Sequence, residues 1–455
     1  MSRKTLLSTL LSLLVFAPGV AADRPHLHAA LDVARWLKRN AIQTPQGKVW
    51  AADPGDTATV ATNLYSGSAG IVLFFIEAFR STGDTTFLDE ARAGADYLLA
   101  DLSDGKKLDQ VDNGLYTGVA GLGYVLGETY KVSGDSRYRA GMQKCAEMLQ
   151  SRAEKSGGGV VWLNHEGDTT YFVSDIIGGS SGAGLFLLYA ARELQDSTYR
   201  ELAASVGHRL VEAARDGNDG SYWAMDAMEP DLLPMFPRLM PNFSHGTSGI
   251  AFFLATLYQE TGQREFLDAA LRGARYLQAV AKRESDAASI FHHEPDGKDL
   301  YYLGWCHGPV GTARLFHRLY RITGDMEWME WVKKFARADL ASGIPERQTP
   351  GFWNNVSQCC GSAGVAEFFL SLYRITNEKA YIDFARRLTE NLLGRVTSDD
   401  KGMRWIQAEH RVKPELLVGQ TGYMQGAAGI GMWLLHFDAF EQGKQGTITL
   451  PDSPF

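Results

Sequence analysis

The four-residue pattern G-x-x-G recurs seven times along this chain, and each copy comes directly before a run of apolar residues. The first glycines of successive copies are 51, 61, 67, 62, 53 and 65 residues apart. One G-x-x-G carries no structural information, whereas seven copies at nearly regular spacing indicate an internal repeat. The copies are Gly67–Gly70, Gly118–Gly121, Gly179–Gly182, Gly246–Gly249, Gly308–Gly311, Gly361–Gly364 and Gly426–Gly429.

Two helical patterns joined by a short turn follow the glycines of a typical repeat. The first pattern is apolar on nearly all sides, as in residues 71–75 and 250–254, which is typical of a buried helix. The second, for example residues 87–99, is apolar on one face only. A Gly-Asp or Gly-Gln pair lies between them, where the glycine ends one helix and the polar residue caps the next. Each unit is therefore predicted to be a hairpin of one buried inner helix and one half-exposed outer helix.

The helix count predicts a closed ring. The chain has seven inner helices but only six outer partners after them, because it ends soon after the seventh. Residues 28–40 form one more amphipathic pattern, which supplies the missing outer helix from the N-terminal side. Closure hides the ends that an open solenoid must cap. We therefore expect an all-α fold, a single α/α toroid of seven helical hairpins over residues 23–455.

The first 22 residues have the order of a secretory signal peptide. Arg3 and Lys4 precede an apolar run over residues 6–16, and residues 20–22 are small, as cleavage sites require. We therefore expect residues 1–22 to be removed and the mature protein to be exported, to the periplasm or the medium. No later stretch reaches 18 consecutive apolar residues, so no stable membrane insertion is expected after cleavage.

Charge argues against a nucleic-acid partner. The formal net charge is −8, from 45 Lys plus Arg against 53 Asp plus Glu, and no long run of like charges forms a tail. Binding to a phosphate backbone calls for a clustered excess of basic residues, which this chain lacks.

Three of the four cysteines lie directly before glycine motifs of adjacent repeats. Cys306 precedes the fifth motif, and Cys359 and Cys360 precede the sixth. Thiolates on rigid neighbouring elements suit Zn²⁺, and three protein ligands with one open position are typical of a catalytic zinc site. An exported protein can instead form a disulfide, such as Cys306–Cys359, and the spacing alone leaves both interpretations open. Cys145 lies on an outer helix and is predicted to be a plain buried thiol.

Three further residues are candidates for acid–base chemistry at the same end of the ring. His245 directly precedes the fourth motif, Asp175 lies four residues before the third, and His307 follows Cys306. Histidine and aspartate in such positions also serve as structural residues or helix caps, so position alone leaves these roles open as well. The neighbouring pair His292-His293 is predicted to lie exposed on a loop.

The ordered set of motifs resembles the lanthionine synthetase C-like proteins over nearly the whole mature chain. The resemblance rests on the seven glycine motifs, the segment Trp305-Cys306-His307-Gly308 and the cysteines before Gly361. It implies an α/α toroid with zinc at its mouth, held here by Cys306, Cys359 and Cys360, the last of which occupies the family's His position.

The same resemblance assigns roles to the remaining site residues. It implies a catalytic His at His245, a catalytic Asp at Asp175 and a site residue at His307. It also places Tyr302 where some members carry a basic residue, which puts the anchoring of an enolate oxygen by that side chain in doubt.

The implied activity is zinc-dependent addition of a peptide Cys thiolate to dehydroalanine or dehydrobutyrine, which forms a thioether ring. The partner would be a dehydrated peptide or another thiol substrate. Two alternatives stay open: an exported zinc-bearing protein that binds thiols or peptides without catalysis, and a carbohydrate-active α/α barrel. The latter chemistry uses paired acids, and Asp175 has no obvious second acid in an equivalent position.

Overall fold

The computed structural model describes residues 23–103, 112–163, 172–217, 219–224 and 239–455, so the predicted signal peptide lies outside the described residues. The described chain forms fourteen α-helices that alternate between an inner and an outer ring. None of these helices is long and apolar enough to span a bilayer. The all-α toroid predicted from the glycine repeat is confirmed.

Each inner helix begins within a glycine motif and is buried over most of its length, as its apolar sequence predicts. The inner helices are α2 (Ser68–Thr82), α4 (Val119–Ser133), α6 (Ser180–Leu194), α8 (Thr247–Thr261), α10 (Pro309–Thr323), α12 (Ser362–Thr376) and α14 (Ala427–Glu441). The outer helices are α1 (Pro25–Arg39), α3 (Thr85–Asp101), α5 (Ser136–Arg152), α7 (Ser197–Ala213), α9 (Arg264–Val280), α11 (Met326–Ala341) and α13 (Lys379–Gly394).

The two ends of the chain close the helical ring. Helix α1 packs against α14, the last inner helix, and α14 packs against α2, the first. Arg24 forms an ion pair with Asp438, and His26 lies 2.7 Å from Glu441. The N-terminal helix is therefore the seventh outer helix that the helix count predicted.

A closed ring of backbone hydrogen bonds joins the seven turns that precede the inner helices. Each turn donates a backbone N–H to a carbonyl oxygen of the next turn, with N···O distances of 2.8–3.2 Å, and the last turn donates to the first. We call this feature the turn ring. Its bonds run from Tyr65 to Tyr116, Tyr116 to Ile177, Ile176 to Ser244, Ser244 to Cys306, Cys306 to Cys359, Cys359 to Met424 and Met424 to Tyr65.

The second glycine of each motif is required by close backbone approach. In all seven copies, a Cβ at this glycine would lie 1.8–2.6 Å from the carbonyl oxygen of the residue six positions earlier. Real Cβ atoms do not come this close to backbone, so any side chain here would push the turn away from its helix. A Cβ on Gly121 would also meet the Leu64 side chain of the preceding repeat at 3.2 Å. The motif therefore holds each turn against its own helix and its neighbour.

The turns between inner and outer helices largely follow the predicted capping pattern. Gly83, Gly134 and Gly324 end inner helices in the left-handed conformation, with φ of 70–74°. Asp84 and Asp135 then accept a hydrogen bond from the backbone N–H two residues on, which caps the next outer helix. Gln263, at the equivalent position of another turn, makes no side-chain capping bond.

Short antiparallel hairpins follow five of the outer helices and carry the chain towards the next turn. In four of them, a tryptophan after the hairpin donates its indole N–H to the carbonyl oxygen 13 residues earlier, at 2.7–2.8 Å. The strand pairs are Ile42–Thr44 with Gly47–Val49, Glu154–Ser156 with Gly159–Val161, Arg215–Gly217 with Gly220–Tyr222, Lys282–Glu284 with Ala287–Ser289, and Thr397–Asp399 with Gly402–Arg404. The tryptophans are Trp50, Trp162, Trp223 and Trp405.

The C-terminal residues 446–455 fill the centre of the toroid from the end opposite to the turn ring. The Glu77 carboxylate, in the second half of α2, accepts a hydrogen bond from the backbone N–H of Thr447 at 3.0 Å. The fully buried Asp452 forms an ion pair with Arg314 at 3.2 Å. Seven helices around an axis leave a central space, and this tail extends through it as far as the turn ring, where the Tyr116 hydroxyl donates a hydrogen bond to Asp452 at 3.1 Å.

The close approach at the turn ring predicts an unusual effect of Gly121→Ala. Alanine normally stabilises a helix relative to glycine by ~1 kcal/mol. Here the added methyl group would lie 2.1 Å from the Leu115 carbonyl oxygen, so we expect the free energy of unfolding to fall by at least ~2 kcal/mol. Chemical denaturation measures this change. The matched control is Gly394→Ala, where a Cβ meets nothing within 4 Å, and a loss of similar size there would contradict the explanation.

Candidate metal centre and active site

The turn ring brings the three predicted metal-ligating cysteines together. The backbone N–H of Cys306 donates to the carbonyl oxygen of Cys359 at 3.2 Å, which makes their repeats direct neighbours in space. The sulfurs of Cys306 and Cys360 lie 3.3 Å apart, as do those of Cys359 and Cys360. All three side chains are buried and line a cavity of about 180 Å³ at the mouth of the toroid.

The three sulfurs fit a zinc ion. Their Sγ atoms lie within 4.8 Å of one another. Tetrahedral sulfur ligands at ~2.3 Å from zinc stand ~3.7 Å apart, so small side-chain adjustments suffice. All four cysteines of the chain are free thiols here, and the 3.3 Å separations exceed the ~2.05 Å of a disulfide. Among the residues that the structure describes, the cluster contains three soft thiols and no fourth ligand, a donor set that suits a site with one open position.

Hydrogen bonds already favour a thiolate within the cluster. The thiols of Cys306 and Cys360 and the phenol of Tyr65 donate to the sulfur of Cys359, and these bonds hold the pKa of Cys359 well below the usual thiol range. Tyr65 lies 3.2 Å from that sulfur and accepts a hydrogen bond from Gln425 at 3.0 Å. Burial raises the pKa of Cys306. These hydrogen bonds favour the thiolate form of Cys359, which is the form that binds a metal.

Asp175 and His245 form a pair across two neighbouring repeats. The Asp175 Oδ2 atom lies 2.5 Å from the His245 Nδ1 atom, and Oδ1 accepts hydrogen bonds from the backbone N–H groups of Gly178 and Gly179. Burial lowers the pKa of His245, but the charge and hydrogen bond of Asp175 outweigh burial and raise it above its ordinary value. Asp175 thus both caps its turn and holds His245, which lines the same cavity as the cysteines.

His307 lies buried beside His245 as part of a group of stacked imidazoles. Its ring centroid is 5.6 Å from that of His245 and 4.0 Å from that of His292. The hydroxyl of Ser244 lies 3.4 Å from His307 Nε2, whereas Nδ1 has no hydrogen-bond partner among the described residues. Burial, followed by the neighbouring histidines, lowers the pKa of His307 well below its ordinary value, so this ring is neutral.

The prediction of an exposed His292-His293 pair is wrong. His292 is partly buried and lines the cavity, where its ring lies 4.4 Å from that of Tyr302. Burial lowers the pKa of His292 to about 3. The loop after α9 folds inward over the mouth, and no local sequence pattern distinguishes such a path from an outward one.

Arg411 is a second residue that sequence reasoning missed. It lies on the rim loop, which we define as residues 406–418, and it lines the cavity. Its Nε donates a hydrogen bond to the Tyr302 hydroxyl at 3.3 Å. Tyr302 itself carries no positive charge, but the contact places a guanidinium beside it. Sequence reasoning also misses Tyr65 and Gln425, because their contacts with the cysteines form only when distant repeats meet in the folded chain.

Cys145 has the role that its position predicts. It is fully buried on α5, and burial raises its pKa to about 12. It is therefore a neutral core thiol that lies outside the metal centre.

Comparison with known proteins identifies relatives of the sequence and of the fold. The sequence model described as "Lanthionine synthetase C-like protein" matches residues 59–445. The structure of nisin cyclase is similar, with a TM-score of 0.66 and 16% identity over 93% of this chain and 96% of that one. An α-1,6-mannanase of Salegentibacter sp. gives a TM-score of 0.48 at 14% identity, covering 90% of this chain and 97% of that one. An unsaturated glucuronyl hydrolase of a Bacillus species gives 0.49 at 16%, covering 92% and 97%.

Replacement of the clustered cysteines is expected to remove zinc. In Cys306→Ser or Cys360→Ser, loss of one of three thiolate ligands should reduce bound zinc from about one per chain to a small fraction. Elemental analysis of dialysed protein measures the content. Cys145→Ala is the matched control, because that thiol is buried away from the cluster, and it should keep its zinc. Full zinc content in both cluster variants would show that the metal lies elsewhere.

Proposed function

Because this chain belongs to the lanthionine synthetase C-like family, we propose that it is a zinc-dependent cyclase that forms thioether rings in dehydrated peptides. The observation that carries the proposal is the convergence of two chemistries on one cavity. Three thiols suited to zinc and an Asp–His pair suited to proton transfer share the mouth of the toroid. The substrate would be a peptide with both a cysteine and a dehydroalanine or dehydrobutyrine.

The cysteine cluster prepares the nucleophile in this proposal. Cys306, Cys359 and Cys360 would hold a zinc ion, which would act as a Lewis acid and lower the pKa of a peptide thiol towards neutral pH. Tyr65 and Gln425 contact the cluster sulfurs and hold them in place.

His245 is the proposed proton donor. The substrate thiolate forms a bond to the β-carbon of the alkene, and the C=C electron pair moves onto the α-carbon and its carbonyl. A proton must then reach the α-carbon, and His245 can deliver it from Nε2 because Nδ1 is engaged by Asp175. The proton that the substrate thiol released restores the imidazolium, so the whole reaction is an isomerisation of the peptide.

Asp175 and His307 are proposed to position the donor. Asp175 stabilises the imidazolium by its charge and orients the ring through the 2.5 Å contact. The His307 ring lies 5.6 Å from the His245 ring, centroid to centroid, and is itself supported by His292. With backbone hydrogen bonds holding Asp175 in turn, the donor has little freedom to swing out of the cavity.

Arg411 is proposed to stabilise the negative charge that develops on the substrate carbonyl. Its guanidinium reaches the cavity from the rim loop and is anchored on Tyr302 through Nε. A positive group near a developing oxyanion lowers the barrier. Arg411 would thereby supply the positive charge near the enolate oxygen that Tyr302 lacks.

The hydrogen bonds that Asp175 accepts argue against the alternative of a carbohydrate-active enzyme. Both of its oxygens are engaged, one by two backbone N–H groups and the other by His245. Glycoside hydrolysis requires one carboxyl group free to protonate the leaving oxygen and a second to act opposite it. A buried and fully bonded Asp175 suits the support of a histidine better than proton donation to a sugar.

The activity is tested with the zinc-loaded protein and a synthetic peptide that contains one dehydroalanine and one cysteine. Ring closure leaves the mass unchanged, so the readout is loss of the thiol that an alkylating reagent would otherwise label, followed by mass spectrometry. Protein stripped of metal by a chelator gives the background rate. If zinc-loaded protein consumes no thiol above that background, the protein is a zinc-bearing binding protein and the cyclase proposal is wrong.

His245→Ala and Asp175→Asn are expected to slow thioether formation while zinc remains bound. Loss of a positioned general acid typically lowers the rate ~10²–10⁴-fold, and loss of its positioning partner should cost less than that. Initial rates and zinc content are measured on the same samples. His28→Ala, with a side chain 70% exposed on α1, is the matched control and should match the wild type. A wild-type rate in zinc-loaded His245→Ala would exclude His245 as the donor.

Arg411→Gln should lower kcat more than it changes the zinc content or the free energy of unfolding. Glutamine keeps polar contact with Tyr302 but removes the charge, so we expect a loss of roughly 10–100-fold, in the range of other oxyanion donors. Arg411→Lys should recover part of this loss. Equal rates for Gln and Lys would show that charge at this position is not used.

A further inference from the structure

The rim loop is unusual for its exposed apolar side chains. Six large apolar residues are exposed in the described part of the chain, and four of them lie on this loop. The other two, Met326 and Ile375, lie on helices α11 and α12. The four loop residues are Ile406 (46% exposed), Val412 (70%), Leu416 (54%) and Leu417 (49%).

The base of the rim loop is held firmly to the toroid. Gln407 and Ala408 pair with Val418 and Leu417 in a two-residue antiparallel ladder. The Ala408 carbonyl oxygen accepts hydrogen bonds from the indole of Trp353 at 2.9 Å and from the amide of Asn355 at 3.0 Å. The loop is therefore a fixed feature of the mouth, and its apolar side chains are presented to solvent from a stable base.

One stretch of the rim loop borders the reaction cavity. Glu409, His410 and Arg411 line the cavity together with the three cysteines and His245. Val412 is the next residue, and the chain then turns through a hydrogen bond from Lys413 N–H to the His410 carbonyl. The exposed apolar surface thus begins where the cavity ends.

The size of the cavity decides what that surface can contact. A volume of about 180 Å³ is below the ~300–1,000 Å³ of pockets that hold a drug-sized ligand. Such a space holds the reacting thiol and alkene but not the peptide backbone and side chains around them. The rest of a ring-forming peptide must lie on the rim, and its apolar side chains would there find Val412, Leu416 and Leu417.

We propose that the rim loop is a docking surface for apolar side chains that flank the reacting cysteine or dehydroamino acid of the substrate peptide. This inference rests on the proposed cyclase function and adds a preference to it: peptides with leucine, isoleucine or valine near the ring bind more tightly than polar ones. The loop side chains touch no reacting atom, so they set KM and leave kcat unchanged.

The test uses two synthetic peptides with one dehydroalanine and one cysteine each. Leucines flank the reacting residues in one peptide, and serines replace those leucines in its twin. The loop variant is Val412→Ser/Leu416→Ser/Leu417→Ser. Its matched control is Met326→Ser/Ile375→Ser, which removes the two exposed apolar side chains that lie outside the loop.

Kinetics of zinc-loaded protein should separate the peptides. Loss of the apolar contacts made by the three loop side chains should raise KM for the leucine peptide about tenfold or more. We expect kcat for this peptide, and both KM and kcat for the serine peptide, to stay unchanged. The control variant should behave as the wild type. Equal KM values for the leucine peptide in wild type and loop variant would overturn the proposal.

A binding measurement keeps this inference separable from the proposed function. The unreactive leucine peptide, with serine for cysteine and alanine for dehydroalanine, is titrated by calorimetry into wild type and loop variant. Binding that the loop variant loses, without any thioether formation by the wild type, would retain the docking surface and reject the cyclase. Thioether formation with unchanged binding and KM would reject the docking surface alone. Sedimentation tests whether the loop instead joins two copies of the chain. If the wild type forms a dimer, the loop variant does not, and peptide binding is unchanged, the proposal is also overturned.

Discussion

The turn ring is the constraint on which the rest of the structure depends. Seven backbone hydrogen bonds connect the turns of all seven repeats and close on themselves, so no turn can shift without disturbing its neighbours. The second glycine of each motif makes this possible, because any side chain there would collide with the carbonyl oxygen six residues earlier. The inner helices then start from one plane, and their packing with the outer helices follows. Any residue just before a glycine motif therefore lies at the same mouth of the toroid.

The reactive groups at the mouth are brought together by these turn positions. Cys306 and Cys359 occupy equivalent positions in neighbouring turns, and Cys360 adds a third sulfur from the next position along the chain. One repeat away, Ser244 donates its backbone N–H to Cys306, which sets His245 beside the cluster and within reach of Asp175 on the preceding repeat. Three consecutive bonds of the turn ring, from Ile176 to Cys359, therefore position three thiols that could bind a metal beside an imidazole held by Asp175.

A second layer of the site comes from the loops, and it differs in character. The loop with His292 packs a ring onto His307, and the rim loop brings Arg411 to Tyr302. These contacts surround the rigid centre with groups that can vary from protein to protein, since a loop tolerates substitution that the turn ring does not. In the proposed function, the turn ring would support the reaction itself, and the loops would set the charge and the substrate preference of the site.

How far the sequence predicts the protein depends on the range of the interaction. Glycine spacing and helical periodicity are local, and they were enough to predict seven hairpins, the closing role of α1 and the meeting of Cys306, Cys359 and Cys360. Asp175 and His245 were predicted from their positions before glycine motifs. Their 2.5 Å contact, however, is a property of two repeats in space. His292, Tyr65 and Arg411 were misjudged or missed because their side chains reach the mouth along loop paths or from repeats hundreds of residues away. Repeat number and turn positions are thus determined by local sequence, whereas the loop contacts around the metal centre are decided only when the ring closes and distant segments pack together.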